Sequence, residues 1–244
     1  WHTECVAMSL SALGPGFDIH GGGDDLCFPH HQNEWAQVTA TGQPFARYWV
    51  HSAMVNVAGE KMSKSLGNFT NLAEAIDTAG PRALRLLAMQ THYRRAMEMG
   101  REALMAASTA IDRLDAFRRR MTAADVDLVD GETDSSAVAA FKAAMDDDFG
   151  TPIALDHMFS LVRGANGALD DGDLNAAGLQ ARTALMLFSV LGIEVGSADP
   201  TTVSGIDDTE IETLIEQRKE ARDGKDFATA DRIRDRLALS LIHI

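Results

Sequence analysis

Beyond Gly100, apolar residues recur at helical spacing. Leu104, Ala107, Ile111, Leu114 and Phe117 fall three or four positions apart, which predicts a helix with one buried stripe and one charged face. The spacing predicts a second helix over Ser135 to Met145. Thr151-Pro152 reads as a cap followed by a first turn, opening a third that buries Leu155, Phe159 and Val162. A fourth runs to Leu191 and stops at Gly192. Residues 101–193 thus read as a helical bundle, with Met and Phe side chains serving as core.

The first ninety residues show a different rhythm, of short strands, Gly-rich turns and short helices. Gly16 to His20 reads as a strand running into a turn at Gly21-Gly22-Gly23, where glycine's backbone freedom is expected to be used. A helix is predicted over His30 to Val38, with Pro29 in its first turn and Asp24 and Asp25 upstream. Tyr48 to Val57 alternates and is rich in β-formers, stopping at Ala58-Gly59. Ile193 to Gly205 is polar and Gly/Pro/Ser/Thr-rich, as a linker would be. Asp208 to Asp223 and Asp226 to Leu239 then read as a helical hairpin around Gly224. The fold class is α/β followed by all-α. The apolar tail Leu239 to Ile244 is read as a truncation or junction, outside the fold.

The formal net charge of −14 argues against a generally basic nucleic-acid surface. Its distribution softens that exclusion: residues 1–100 carry −2, residues 101–205 carry −9 and residues 206–244 carry −3. The first hundred residues can still present a local basic face to a nucleotide. Two cysteines are too few for a disulfide framework, and no apolar run has membrane-spanning length, so a cytoplasmic, non-membrane protein is expected.

Candidate chemistry concentrates in two places. Lys61, Ser63, Lys64 and Ser65 crowd into five positions, followed by Gly67 and Asn68. Ammonium groups and short hydroxyls on one loop suit a polyphosphate whose charge shifts during reaction. A solvated basic turn is the plain alternative. His30 and Glu34 lie four apart on a predicted helix, so both can reach one cation, with Cys5 arriving from an earlier element. The alternative there is a core thiol beside a surface helix, and His31 is a competing donor.

Several strings then fall in a familiar order. They are Trp1-His2-Thr3-Glu4-Cys5, Phe17 to Gly23, Asp25-Leu26, Phe28-Pro29-His30-His31 with Asn33-Glu34, and Lys61-Met62-Ser63-Lys64-Ser65. His92-Tyr93-Arg94, Asp146 to Phe149 with Thr151-Pro152, and Lys225 to Arg234 continue the series. In this order the chain resembles the cysteinyl-tRNA synthetases, within the class I aminoacyl-tRNA synthetases. Departures are Gln32, where the family usually has Glu, and Arg95-Ala96-Met97, where a Ser-Pro-Leu-like run usually follows.

The resemblance implies a function: ATP-dependent activation of L-cysteine to an adenylate, then transfer to tRNA(Cys). It implies one Zn2+ held by Cys5, His30 and Glu34, with a fourth ligand upstream of Trp1, and Mg2+ accompanying ATP. It makes Trp1, His20 and Asp25 the cysteine pocket. Lys61 and Lys64 become the catalytic pair, and Ser63 and Ser65 join them on ATP. Residues 1–70 would be the C-terminal part of a Rossmann-like catalytic domain, 71–100 a stem-contact segment, 101–193 the bundle, 194–205 a linker and 206–244 part of an anticodon-recognition region. The partner motif of the lysine loop would precede Trp1, so these residues alone are expected to be inactive, and the protein is expected to be a monomer. The rival readings are a cysteine ligase acting on a glucosamine-inositol acceptor and a non-catalytic tRNA-binding remnant.

Overall fold

Helix α1 (His2–Leu13) opens the chain and leads to strand β1 (Ile19–Gly23). A short helix α2 (Asp24–Leu26), a π-helical turn over Cys27–His31 and helix α3 (Gln32–Ala40) follow. Strand β2 (Tyr48–Ser52) returns parallel to β1, in a register that sets His20 against Trp49 and Gly22 against His51. A parallel pair needs such a helical crossover. Phe17, Val38 and Phe45 form the small core beneath it, with Val6 and Leu10 of α1 packed against them. This computed structural model describes residues 1–57, 60–61 and 72–196, and beyond them residues 213, 216–219, 221, 226, 229 and 233.

Gly21-Gly22-Gly23 are not a turn. All three lie in β1, and none has a positive φ. Space is what two of them supply. A Cβ on Gly22 would stand 2.8 Å from His31 Cε1, and one on Gly23 would stand 2.7 Å from Asp25 Oδ1.

The second sheet has β3 (Val55–Val57) at its centre, antiparallel to β4 (Glu60–Lys61) and parallel to β5 (Met97–Glu98). Helices α4 (Leu72–Ala79) and α5 (Pro81–Gln90) lie between β4 and β5 in sequence. They are divided at Gly80, whose φ of 82° is left-handed, with Pro81 opening α5.

Four longer helices follow: α6 (Arg101–Ala123), α7 (Ser135–Asp146), α8 (Thr151–Asp170) and α9 (Leu174–Val190). Leu104, Ala107, Ile111, Leu114 and Phe117 are all buried along α6, as the periodicity requires. The α8 cap is Gly150, and Thr151 is already helical, so the Thr-Pro pair marks the start one position off. Gly192 ends α9 at φ 70°. Much of the acid in this region does structural work at helix starts and turns. Asp134 accepts from the Ser136 and Ala137 amides, Asp173 accepts from Ala176, and Asp127 turns the chain by accepting from Val129 and Asp130.

The stretch from Ile193 begins as core rather than linker. Ile193 and Val195 are buried among the α5, α6 and α9 side chains. A polar clasp fixes them. Arg82 of α5 forks onto Asp115 of α6 with two bonds of 2.9 Å and donates to the Glu194 carbonyl at 2.9 Å. Asp115 also accepts from the Gly196 amide at 2.6 Å, and Arg118 donates to the Val195 carbonyl at 2.5 Å.

Residues from Ala198 form a separate compact unit. Within it Thr213, Glu216 to Lys219, Ala221, Thr229 and Ile233 are helical, and Asp226 caps by accepting from the Thr229 amide at 3.1 Å. The rest of the expected hairpin, and the tail to Ile244, lie outside the described residues. Among the described residues no helix is long and apolar enough to cross a membrane.

Candidate metal centre

Cys5 sits one turn into α1, and α1 packs against α3. His30 lies in the π-helical turn, and Glu34 in the first turn of α3. The sulfur of Cys5, a ring nitrogen of His30 and a carboxylate oxygen of Glu34 all lie within 4.8 Å of one another. The three residues singled out in the sequence therefore meet.

Glu34 is the unusual member, with a relative exposure of 0%. Its Oε1 lies 2.9 Å from His30 Nε2, and its Oε2 lies 2.7 Å from His20 Nε2. The carboxylate is thus shared between two imidazoles and the Cys5 thiol, and His30 Nδ1 is buried without a hydrogen bond. A fully buried carboxylate is costly unless positive charge, on an imidazolium or a metal ion, neutralises it. The donor set of thiol, imidazole and carboxylate fits a zinc-like ion in kind and in proximity. Burial pushes the Cys5 thiol up, and the Glu34 charge beside it adds to that. Coordination to a cation would act the other way, favouring the thiolate.

His31 does not belong to this trio. It groups instead with His20 and Glu34, again within 4.8 Å, and its Nδ1 lies 2.8 Å from His51 Nε2. Burial holds His31 below the ordinary imidazole range, with the neighbouring His20 charge the next cause. Cys27 is exposed and outside both groups. Trp1, itself 72% exposed, lays its ring against His30 with centroids 4.0 Å apart. Asp25 is exposed in the first turn of α2, beside the Gly23 end of β1.

Two neighbours escaped the sequence reading. Trp49 packs on His20 with centroids 4.9 Å apart, and His51 meets His31. The alternation within β2 places Trp49 and His51 on one face, so period two was the available signal. Gly22 lies opposite His51 in the register and leaves room for His31. Replacing Gly22 with Ala is expected to cost about 1–3 kcal/mol, because overpacking forces the ring or the strand to shift. Thermal denaturation of the metal-free chain measures it, and an unchanged midpoint would remove the steric reading.

Lys61 is placed by backbone alone, in β4 opposite Asn56. Ser63, Lys64 and Ser65 lie outside the described residues.

Comparison with known proteins gives this geometry its family. The family described as "tRNA synthetases class I (C) catalytic domain" matches residues 1–109, and the DALR domain family matches residues 140–195. The chain is 43% identical over 243 residues to the cysteine--tRNA ligase of Paenarthrobacter aurescens, covering 98% of this chain and 50% of that protein. It is 44% identical over 251 residues to the cysteine--tRNA ligase of Clavibacter sepedonicus, covering 98% and 52% respectively. Among solved structures, methionyl-tRNA synthetase of Mycobacterium tuberculosis aligns at TM-score 0.56 and 16% identity, over 71% of this chain and 41% of that one. A LeuRS–tRNA complex from Agrobacterium radiobacter aligns at TM-score 0.56 and 17% identity, over 73% and 25%. These two likenesses speak to the fold alone. The chain is thus a homologue of the cysteine--tRNA ligases, matching the class I synthetase catalytic-domain family over residues 1–109 and the DALR family over residues 140–195, and it spans about half the length of the relatives it matches.

Proposed function

We propose that these residues serve a protein that activates L-cysteine with ATP and transfers it to tRNA(Cys) in the cytoplasm, acting as a monomer. The observation that carries the reading is the fully buried Glu34 carboxylate converging with the Cys5 sulfur and a His30 ring nitrogen within 4.8 Å. Cysteine differs from serine at one atom, and shape alone discriminates such a difference by only about 1–3 kcal/mol. A zinc ion held by Cys5, His30 and Glu34 would supply the missing selectivity, because it binds thiolate far more strongly than alcohol.

The remaining residues take roles set by their chemistry. Trp1 shields one side of His30, His20 steadies Glu34 from β1, and Asp25 offers a carboxylate to the substrate ammonium. When the cysteine carboxylate attacks the α-phosphate and pyrophosphate leaves, Lys61 and Lys64 stabilise the growing charge. Ser63 and Ser65 orient that loop on ATP, with Mg2+ accompanying the nucleotide. We assign residues 1–70 to the catalytic domain, 71–100 to stem contact, 101–196 to the bundle, extended past 193 by the buried Val195 and the clasp on Gly196, 197–205 to a linker and 206–244 to anticodon recognition. The ligation is assigned to the protein at the full length of its relatives, and the 244 residues alone are expected to show little or none of it.

The test is cysteine-dependent ATP–pyrophosphate exchange by the full-length protein. Lys64→Ala is expected to lower it by about two to three orders of magnitude, the scale of removing one charge-stabilising group. Charging of tRNA(Cys) must accompany the exchange. Exchange without charging, but with ligation to a glucosamine-inositol acceptor, would move the protein to the amino-sugar reading. No exchange at all would leave a non-catalytic remnant.

A further inference from the structure

The turn between α7 and α8 holds more bonds than its exposure explains. Asp148 and Phe149 both adopt left-handed backbone, at φ 54° and 55°. Asp tolerates this region, but an aromatic residue there is an outlier that its surroundings must hold in place. Three consecutive residues of the loop before β5 converge on Asp148. Tyr93 Oη donates to Oδ1 at 2.6 Å, Arg94 Nε donates to Oδ2 at 2.5 Å, and His92 Nε2 lies 2.9 Å from the Asp148 carbonyl. The Arg94 guanidinium adds a second bond at 3.2 Å, and Phe149 meets the Tyr93 ring edge-on. Arg94 and Tyr93 hold the Asp148 carboxyl down at about 2, so it stays charged at any working pH. Gly150 closes the turn, since a Cβ there would stand 2.7 Å from the Ala144 carbonyl.

The same loop grips the second sheet. The Tyr93 carbonyl accepts from the Ala53 amide at 2.8 Å, immediately before β3. Met97 then donates to the Met54 carbonyl at 3.1 Å, and Met99 donates to Asn56 at 2.8 Å. β3 in turn pairs with β4, where Asn56 faces Lys61. A continuous series of hydrogen bonds therefore runs from the α7–α8 turn to the strand that enters the lysine–serine segment.

We propose that Asp148 is a positioning residue for Lys61: through Tyr93 and Arg94 it fixes β3, and through β3 the β4 backbone that carries Lys61. The inference rests on reading Lys61 to Ser65 as the loop that stabilises phosphate charge. It assigns the bundle a share in ATP chemistry without any contact to ATP.

The experiment compares Asp148→Ala and the milder Tyr93→Phe with the unaltered full-length protein. Hydrogen exchange at the Ala53, Met97 and Met99 amides is expected to quicken by about tenfold in Asp148→Ala, because local opening becomes easier. Cobalt(II) uptake at Cys5, His30 and Glu34 should be unaffected. Cysteine-dependent pyrophosphate exchange is expected to fall about tenfold in kcat at unchanged KM for cysteine, the signature of a misplaced group. Asp148→Asn, which keeps an acceptor for Tyr93, should restore most of it. Unchanged amide exchange in both variants overturns the proposal, as does a loss confined to cysteine KM. If Asp148→Ala fails to fold, Tyr93→Phe decides by the same amides. If the unaltered protein shows no pyrophosphate exchange, the functional reading fails, and with it the role at the lysine segment. The amides then show separately whether Asp148 holds β3.

Discussion

Glu34→Gln is expected to lower the affinity of the chain for cobalt(II) or zinc by about two to three orders of magnitude, while leaving the fold intact. The magnitude follows from structural zinc affinities of roughly 10–16 kcal/mol spread over four ligands, or about 2.5–4 kcal/mol each. The fold should survive because Gln keeps the volume and still offers a carbonyl oxygen to His20 or His30, while removing a charge from a fully buried position. The metal-free variant should therefore be at least as stable as the parent, whereas only the parent should gain stability on adding metal. That gain is about 4 kcal/mol at a thousandfold excess over the dissociation constant. Cobalt titration followed by the thiolate-to-metal charge-transfer band, with melting curves at both metal levels, measures both halves. Equal affinity in the two proteins would show that Glu34 is not a ligand. A strongly destabilised metal-free variant would show that its carboxylate is satisfied in some other way.

Asp115→Ala is expected to destabilise the first compact unit by about 2–4 kcal/mol, below the full cost of breaking a wholly buried pair because some solvent reaches this one. Side-chain exposures of 12% for Arg82 and 15% for Asp115 set that discount. Removing the carboxylate strips Arg82 of both fork bonds and the Gly196 amide of its acceptor. For a unit of this size the midpoint should drop by about 5–15 °C, from roughly 2–4 °C per kcal/mol. Replacing Arg82 and Asp115 together by Met and Leu should recover much of the loss, since no charge is then left unpaired. Urea unfolding of the parent and both variants decides it: a single-variant midpoint equal to the parent's would show that the pair contributes little, and equal midpoints for single and double variants would show that the charge left on Arg82 is not the source of the loss.

The helices were legible because their periodicity is local: the α6 stripe can be counted without knowing its partner. His30 and Glu34 were legible for a related reason, since an i, i+4 pair declares its common face before folding, whereas Cys5, on a separate element, was tied to them only by the family resemblance. What escaped depends on approach through space. Gly22 is a glycine because His31, nine residues later, lies against its strand, and no rule of spacing contains that distance. Ile193 and Val195 sit among Gly, Ser and Asp, so composition spoke for a linker while the helical core buried both side chains. Phe149 gives no sign in sequence of its left-handed backbone, because Tyr93 and Arg94 hold that turn from more than fifty positions away.

The Arg82–Asp115–Arg118 clasp also decides where this molecule can be divided. A helix end is the usual place to cut, and α9 offers one at Val190. A cut there would discard Ile193 and Val195 from the core and remove the carbonyls that Arg82 and Arg118 hold. The smallest piece that keeps its own interior therefore ends no earlier than Gly196. Its border is drawn by three charged side chains on α5 and α6, which makes the last few residues part of the foundation.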